Sequence, residues 1–229
     1  MRVLAVETST MMGGVAIVDD REGLVVESRL SVKAAHSARL MPELDRALRA
    51  AGLGLGDINA LAVSAGPGSF TGLRIGLATV KGLAFSTGLP VVAVPTLEAF
   101  AWCFPQSPHP VCPMLDARKK EVYAGVFAWE GGDLARLVAE TNIRAADLAR
   151  MVEDRPGVLF AGQGAVIYQD EIRAVLGERA LFAPPHLMAP MPSAVALVGL
   201  ARALAGEFSD PRSLGPVYIR KSEAESKAP

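Results

Sequence analysis

The sequence predicts an α/β protein made of two related lobes, the second reduced. Three observations carry that expectation. Apolar runs short enough for buried strands alternate with segments of helical spacing. A Pro-rich patch at 105–113 reads as a linker between lobes. The pattern that opens the chain is an apolar strand, an acidic residue, a short polar turn and a second apolar strand. It comes again after the patch in VCPMLDARKKEVYAGVFAWEGG, with Asp116 standing where Glu7 stands. The expected division is a first lobe over 1–104, a smaller second lobe over 105–190, a C-terminal helix within 191–215 that packs back on the first lobe, and a tail over 216–229.

Each element follows from local pattern. RVLAV at 2–6 is a short apolar run, ETST a polar turn at its end, and GGVAIVDD from Gly13 the next strand. Residues 24–32 alternate weakly and complete an antiparallel meander. Over 36–51 the spacing turns helical, with Leu40, Leu44, Leu48 and Ala51 on one side and Glu43, Asp45, Arg46 and Arg49 on the other, ended by Gly52 and Gly54. INALAVSAG is a buried strand of parallel type that leads through GPGSFTG into a helix over about 71–87, with Ser69 or Thr71 as cap, Gly88 at its end and Pro90 beyond. VVAV at 91–94 is a further strand, and Thr96 caps the short helix LEAFAW. The second half reads as a helix at 145–153, a strand at 158–162 and a helix at 165–176. The helix from Ser193 is apolar on most faces and so belongs in the interior.

Composition bounds what such a chain does. It has 229 residues, of which 51% are hydrophobic, enough for a core without a metal or disulfide staple. Twenty-three Lys and Arg against 24 Asp and Glu leave a net charge of −1, which excludes a stand-alone tRNA or DNA binder held by bulk charge. Cys103 and Cys112 flank the Pro-rich patch at a spacing that fits neither a redox pair nor a zinc knuckle, and read as reduced structural thiols. Glu7, Lys81 and Arg202 interrupt the longest apolar stretches, so no membrane segment and a cytoplasmic location are expected.

The segment GPGSFTGLRIGLATVKGLA at 66–84 carries the most information. Glycines at a strand-to-helix junction permit a sharp turn and leave helix N-terminal amides for an anion, yet neither a Walker loop nor a dinucleotide fingerprint is spelled here. Gly66, Gly68 and Ser69 therefore stand as either a tight turn or a phosphate or partner contact. Gly68, Gly72 and Gly76 recur every four residues, and the smooth stripe passes Thr79 to reach Gly82. Each interior glycine costs a helix about 1 kcal/mol relative to alanine, which close packing has to offset, either on this chain's own sheet or on another chain. His36 has Leu40 and Leu44 where a second metal ligand would stand, so a metal site is not expected. His36 reads instead as a capping or surface residue, with Ser37 the alternative cap. Glu7 and Asp116 each cap a hairpin turn or, with Thr8 and Ser9, approach a magnesium-bound nucleotide. Arg118, Lys119 and Lys120 form either a solvated hairpin tip or a contact for an anionic partner such as tRNA.

VLAVETST, HSARLMPEL, AGPGSFTGLRIGLATVKGLA, TLEAF, PMLDARKKEVYAG and PVYIR at 216–220 together resemble the TsaB (YeaZ) family, in order and at matching spacing over nearly the whole chain. The resemblance implies an actin-like, Hsp70-like ATPase fold (ASKHA) with two ribonuclease-H-like lobes. It also implies a non-catalytic part in making the threonylcarbamoyl modification of adenosine 37 (t6A) in tRNAs that read codons beginning with A. In that family the catalytic paralogue TsaD carries an HxxxH metal pair and the ATPase TsaE joins the assembly. Members pair through their first two helices, which places the partner interface here at Leu40, Leu44, Leu48, Gly72, Leu73, Gly76, Thr79 and Val80. A homodimer would form through the same helices where TsaD is absent. No cofactor bound tightly by this chain alone is expected, with ATP or ADP at the interface with TsaD left open, and tRNA is met only within the complex. The family usually has Asp where this chain has Glu7, which weakens metal–nucleotide coordination by this lobe. The competing expectation is an actin-like ATPase or small-molecule kinase, with Glu7 and Asp116 around magnesium and the 66–69 loop near phosphate. A homodimer with an unrelated binding role is a third.

Overall fold

The computed structural model describes residues 1–31 and 36–219, apart from the side chains of Leu30 and of 36–38. These fall into two compact units: Met1–Ala99 with Pro190–Val217, and Phe100–Ala189 with the last described residues, 218–219. The capping roles expected of His36 and Ser37 lie outside the described side chains. Most of the expected tail lies outside the described residues.

The first unit is built on a meander, β1 (Arg2–Glu7), β2 (Met12–Asp19) and β3 (Gly23–Ser31), followed by α1 (His36–Ala50), β4 (Ala60–Gly66), α2 (Phe70–Thr87) and β5 (Val91–Pro95). The strand order is β3-β2-β1-β4-β5, with β1 antiparallel to β2 and parallel to β4. Alternation decides which helix covers which face. Leu4, Val6, Val15, Ile17, Leu61 and Val63 point to one side and form a core with Leu40, Leu44 and Leu48 of α1 and Leu77, Val80 and Leu83 of α2. The opposite side carries small residues, and α7 (Pro192–Leu204) lies on it closely enough that a Cβ built at Gly199 would fall 2.5 Å from that of Ala62. Val217 donates its amide to the Ala65 carbonyl at 2.7 Å, so the expected tail begins as an attached segment of this unit.

The short helix α3 (Thr96–Ala101) follows β5 directly. Thr96 is the first residue of this helix and is fully buried, and its hydroxyl has no hydrogen-bond partner, so it does not cap the helix as expected.

The second unit repeats the plan with β6 (Val111–Arg118), β7 (Glu121–Glu130), β8 (Asp133–Ile143), α4 (Ala145–Met151), β9 (Val158–Ala161), α5 (Gln163–Ile167), α6 (Gln169–Leu176) and β10 (Ala180–Phe182). Its sheet runs β10-β9-β6-β7-β8, the first sheet's order with each strand replaced by its counterpart. Three elements depart from expectation, the first being the short strand β10, which was not foreseen. Strand β8 is half-exposed and shows no continuous apolar run, although Gly131 and Gly132, both at positive φ, mark the turn into it. The helix expected over 165–176 divides at Tyr168 into α5 and α6. The Pro-rich patch also ends sooner than expected, because Pro113 is already in β6, opposite Ala161 of β9.

Candidate functional site

The turn after β1 is drawn inward. Glu7 is 0% exposed, and its Oε1 accepts from both the amide and the hydroxyl of Ser9 at 2.5 Å, while the Ser64 hydroxyl engages Oε2. Burial pushes the Glu7 carboxyl above its ordinary value, with the hydrogen bonds from Ser64 and Ser9 pulling less strongly the other way. Ser64 is a residue the sequence reading missed, since a serine in an apolar strand looks like packing until Glu7 is seen beside it.

The start of α2 closes over this turn. Ser69 donates its amide to the Ser9 carbonyl at 2.7 Å, and its hydroxyl caps the helix by accepting from the Gly72 amide at 3.2 Å. Thr8 donates its hydroxyl to the Gly72 carbonyl at 2.8 Å. A Cβ at Gly68 would fall 2.5 Å from the Ser9 carbonyl oxygen, and one at Gly76 would fall 2.3 Å from Thr8 Oγ1. The stripe of Gly68, Gly72 and Gly76 thus serves the close approach of α2 to this lobe's own first turn.

That corrects the residues assigned to a partner interface. Leu40, Leu44, Leu48, Gly72, Leu73, Gly76 and Val80 are buried within the unit, and Thr79 is half-buried. What α2 leaves outward includes Phe70, Arg74, Ala78, Gly82 and Phe85, at steps of four and three residues. Phe85 is 63% exposed, Phe70 is 43% exposed, and the Arg74 guanidinium stacks 3.8 Å from the Phe70 ring centroid. Met41 is 48% exposed on α1. Their spacing was legible, but the glycines drew the reading to the other face.

An actin-like ATPase fold implies a magnesium nucleotide, and the first-lobe residues named for it do not fit one. Glu7, Thr8 and Ser9 are buried and hydrogen-bonded inside the lobe, and the Ser69 amide of the 66–69 loop is spent on Ser9. Among the described residues no group of three or more His, Cys, Asp and Glu is placed to hold a metal ion. Burial pushes the Cys112 thiol far up, as suits an inert core position, and neither cysteine is in a disulfide.

In the second unit Asp116 Oδ1 accepts from the Arg118 amide at 3.0 Å and stands 3.5 Å from the Tyr168 hydroxyl, a neighbour the sequence reading missed. Glu7 with Ser9 and Asp116 with Arg118 make the same contact, a carboxylate on the amide two residues ahead. The duplication therefore extends to side-chain detail. Arg118, Lys119 and Lys120 stand exposed at the hairpin tip.

Two lobes of identical strand order, each opening on a hairpin with an acidic residue at its first turn, define an α/β protein of the actin-like ATPase class with ribonuclease-H-like lobes. The comparisons agree. A family model described as "TsaD: tRNA N6-adenosine threonylcarbamoyltransferase" matches residues 28–228. The protein named "tRNA threonylcarbamoyladenosine biosynthesis protein TsaB" of Bacillus subtilis (strain 168) is 34% identical over 99% of this chain and 97% of its own length. YeaZ from Pseudomonas aeruginosa superposes with a TM-score of 0.79 at 26% identity, covering 95% of this chain and 99% of that one. The ROK hexokinase from Thermus thermophilus shares the fold alone, with a TM-score of 0.54 at 13% identity over 89% of this chain and 100% of that one. The chain belongs to the TsaB (YeaZ) family.

Proposed function

We propose that this chain is a non-catalytic subunit that binds and activates the transferase TsaD, together with TsaE, for threonylcarbamoylation of adenosine 37 in tRNAs that read codons beginning with A. The observation that supports the reading most is the end-to-end likeness to a relative named for tRNA threonylcarbamoyladenosine biosynthesis. The position four residues after His36 is Leu40, so the histidine pair that a catalytic paralogue would show is not spelled here. The docking face on this reading is the outward row of α2, Phe70, Arg74, Ala78 and Phe85, with Met41 of α1. Exposed aromatics and an arginine are the residue types that carry binding energy when a partner covers them. A second copy of the chain would use the same row where TsaD is lacking, and the tRNA substrate places this work in the cytoplasm.

The test is reconstitution with TsaD and TsaE, omitting each protein in turn from a threonylcarbamoylation assay on unmodified tRNA. Activity that requires this chain, with none from the chain alone, supports the proposal. Transfer by the isolated chain would overturn it. Calorimetry with Mg-ATP on the isolated chain addresses the kinase alternative, which needs binding that Glu7→Ala or Asp116→Ala abolishes.

A further inference from the structure

The hairpin joining β6 to β7 has an unusual backbone. Arg118 pairs with Glu121, which leaves Lys119 and Lys120 as a two-residue loop. Arg118, Lys119 and Lys120 all have positive φ, at 61°, 55° and 63°. A two-residue hairpin loop with positive φ at both positions is the turn that favours Asn-Gly, because residues with a Cβ resist the left-handed region. Three consecutive long cationic residues there are a local choice against stability, and such outliers persist where the side chains have a use. All three are exposed. The register adds a fourth cation at the same sheet end, since exposed Arg144 directly follows Ile143, the partner of Val122.

We infer that this strained tip is a phosphate-contacting finger for RNA, the tRNA of the reaction proposed above, on which this inference rests. A chain with a net charge of −1 has no bulk attraction for nucleic acid, so any phosphate contact has to be local. The left-handed turn fans out three flexible side chains, and it carries no apolar or aromatic group of the kind a protein interface buries. Lysine and arginine at a mobile reach from rigid strands hold backbone phosphate without reading bases, so the contact would position the RNA and leave its sequence unread.

The experiment compares the wild-type chain with K119N/K120G, which restores the preferred turn and removes two charges, and with K119R/K120R, which keeps both. Each is titrated, alone and with TsaD, against an unmodified tRNA transcript by fluorescence anisotropy at several salt concentrations. The expected result is that K119N/K120G unfolds at a higher temperature than wild type yet binds tRNA about tenfold more weakly. Its salt dependence should be shallower by roughly one unit of slope per lysine lost, while K119R/K120R binds as wild type does. Equal affinity and slope for wild type and K119N/K120G would overturn the inference. So would loss of TsaD association in K119N/K120G with tRNA binding unchanged, since the tip would then be a protein contact. TsaD association is read separately by sedimentation without RNA. If wild type fails to associate there, the proposed function falls, while the titrations on the chain alone still decide the finger.

Discussion

The carbonyl oxygen of Thr8 occupies the place where a side chain on Gly72 would begin: a Cβ built at Gly72 falls 2.0 Å from it. The same two residues are joined by the bond from the Thr8 hydroxyl to the Gly72 carbonyl. Gly72→Ala therefore has to push α2 off the first turn, and overpacking of this kind costs about 1–3 kcal/mol or more. Urea unfolding of the isolated chain should show that loss. Unchanged stability with impaired partner binding would instead return Gly72 to an interface.

Gly76 tests the same contact from the side chain. Its added Cβ would meet Thr8 Oγ1 at 2.3 Å, an atom that Thr8→Ala removes. The two substitutions should be non-additive, with Gly76→Ala costing less in the Thr8→Ala background, by a coupling of about 0.5–3 kcal/mol. A double-mutant cycle from denaturation midpoints reads this directly, and additive losses would refute it.

Glu7 gives the pH dependence its sign. Its value in the folded chain is raised above the ordinary 4.5, burial being the largest cause. The stability contributed by the neutral form is complete below that ordinary value and is lost as pH rises toward the folded one. Glu7→Gln keeps an acceptor for Ser9 and offers Ser64 an amide without ever ionising. Its stability relative to wild type should climb as pH rises above 4.5 and then level off. Glu7→Ala leaves the hydroxyls of Ser9 and Ser64 without their acceptor and should cost about 2 kcal/mol below pH 4.5, a loss that narrows as pH rises and wild-type Glu7 ionises. Parallel stability curves for wild type and Glu7→Gln would contradict the assignment.

Thr96 predicts a gain. Its fully buried hydroxyl has no partner, so Thr96→Val exchanges an orphaned polar atom for a methyl of the same shape. The substitution should stabilise the chain by about 1 kcal/mol or more, read as a rise in Tm. A fall in Tm would mean that the hydroxyl finds a donor or acceptor in solution.

How much of this was legible in the sequence differs from element to element. Helix α1 could be read because it buries one face, which writes a period of three to four into the chain, whereas β1, β2 and β4 are buried on both faces and show as short continuous apolar runs. Strand β8 escaped because it is an edge strand, half-exposed and under no demand for an apolar run. The duplication was visible in the placing of Glu7 and Asp116, and the structure extends it to their identical contacts two residues on. At the site the sequence showed that α2 had a smooth stripe but not what lay against it. A glycine row fits a neighbouring chain and the chain's own turn equally well in one dimension. Only the position of Thr8 and Ser9 decides between them.

The outward row of α2 carries the last prediction. Phe85 and Phe70 are exposed, and Leu77, Val80 and Leu83 on the opposite side hold the core. Substituting Phe70 and Phe85 by serine removes apolar surface that water already reaches, so the isolated chain should unfold within about 0.5 kcal/mol of wild type. If TsaD covers this row, two aromatic anchors are lost at once, each worth about 1–2 kcal/mol or more when buried. Association should then weaken by well over tenfold. Sedimentation of the variant with TsaD reads association, and the threonylcarbamoylation assay should fall with it. Wild-type association by a variant that folds normally would move the docking face off α2.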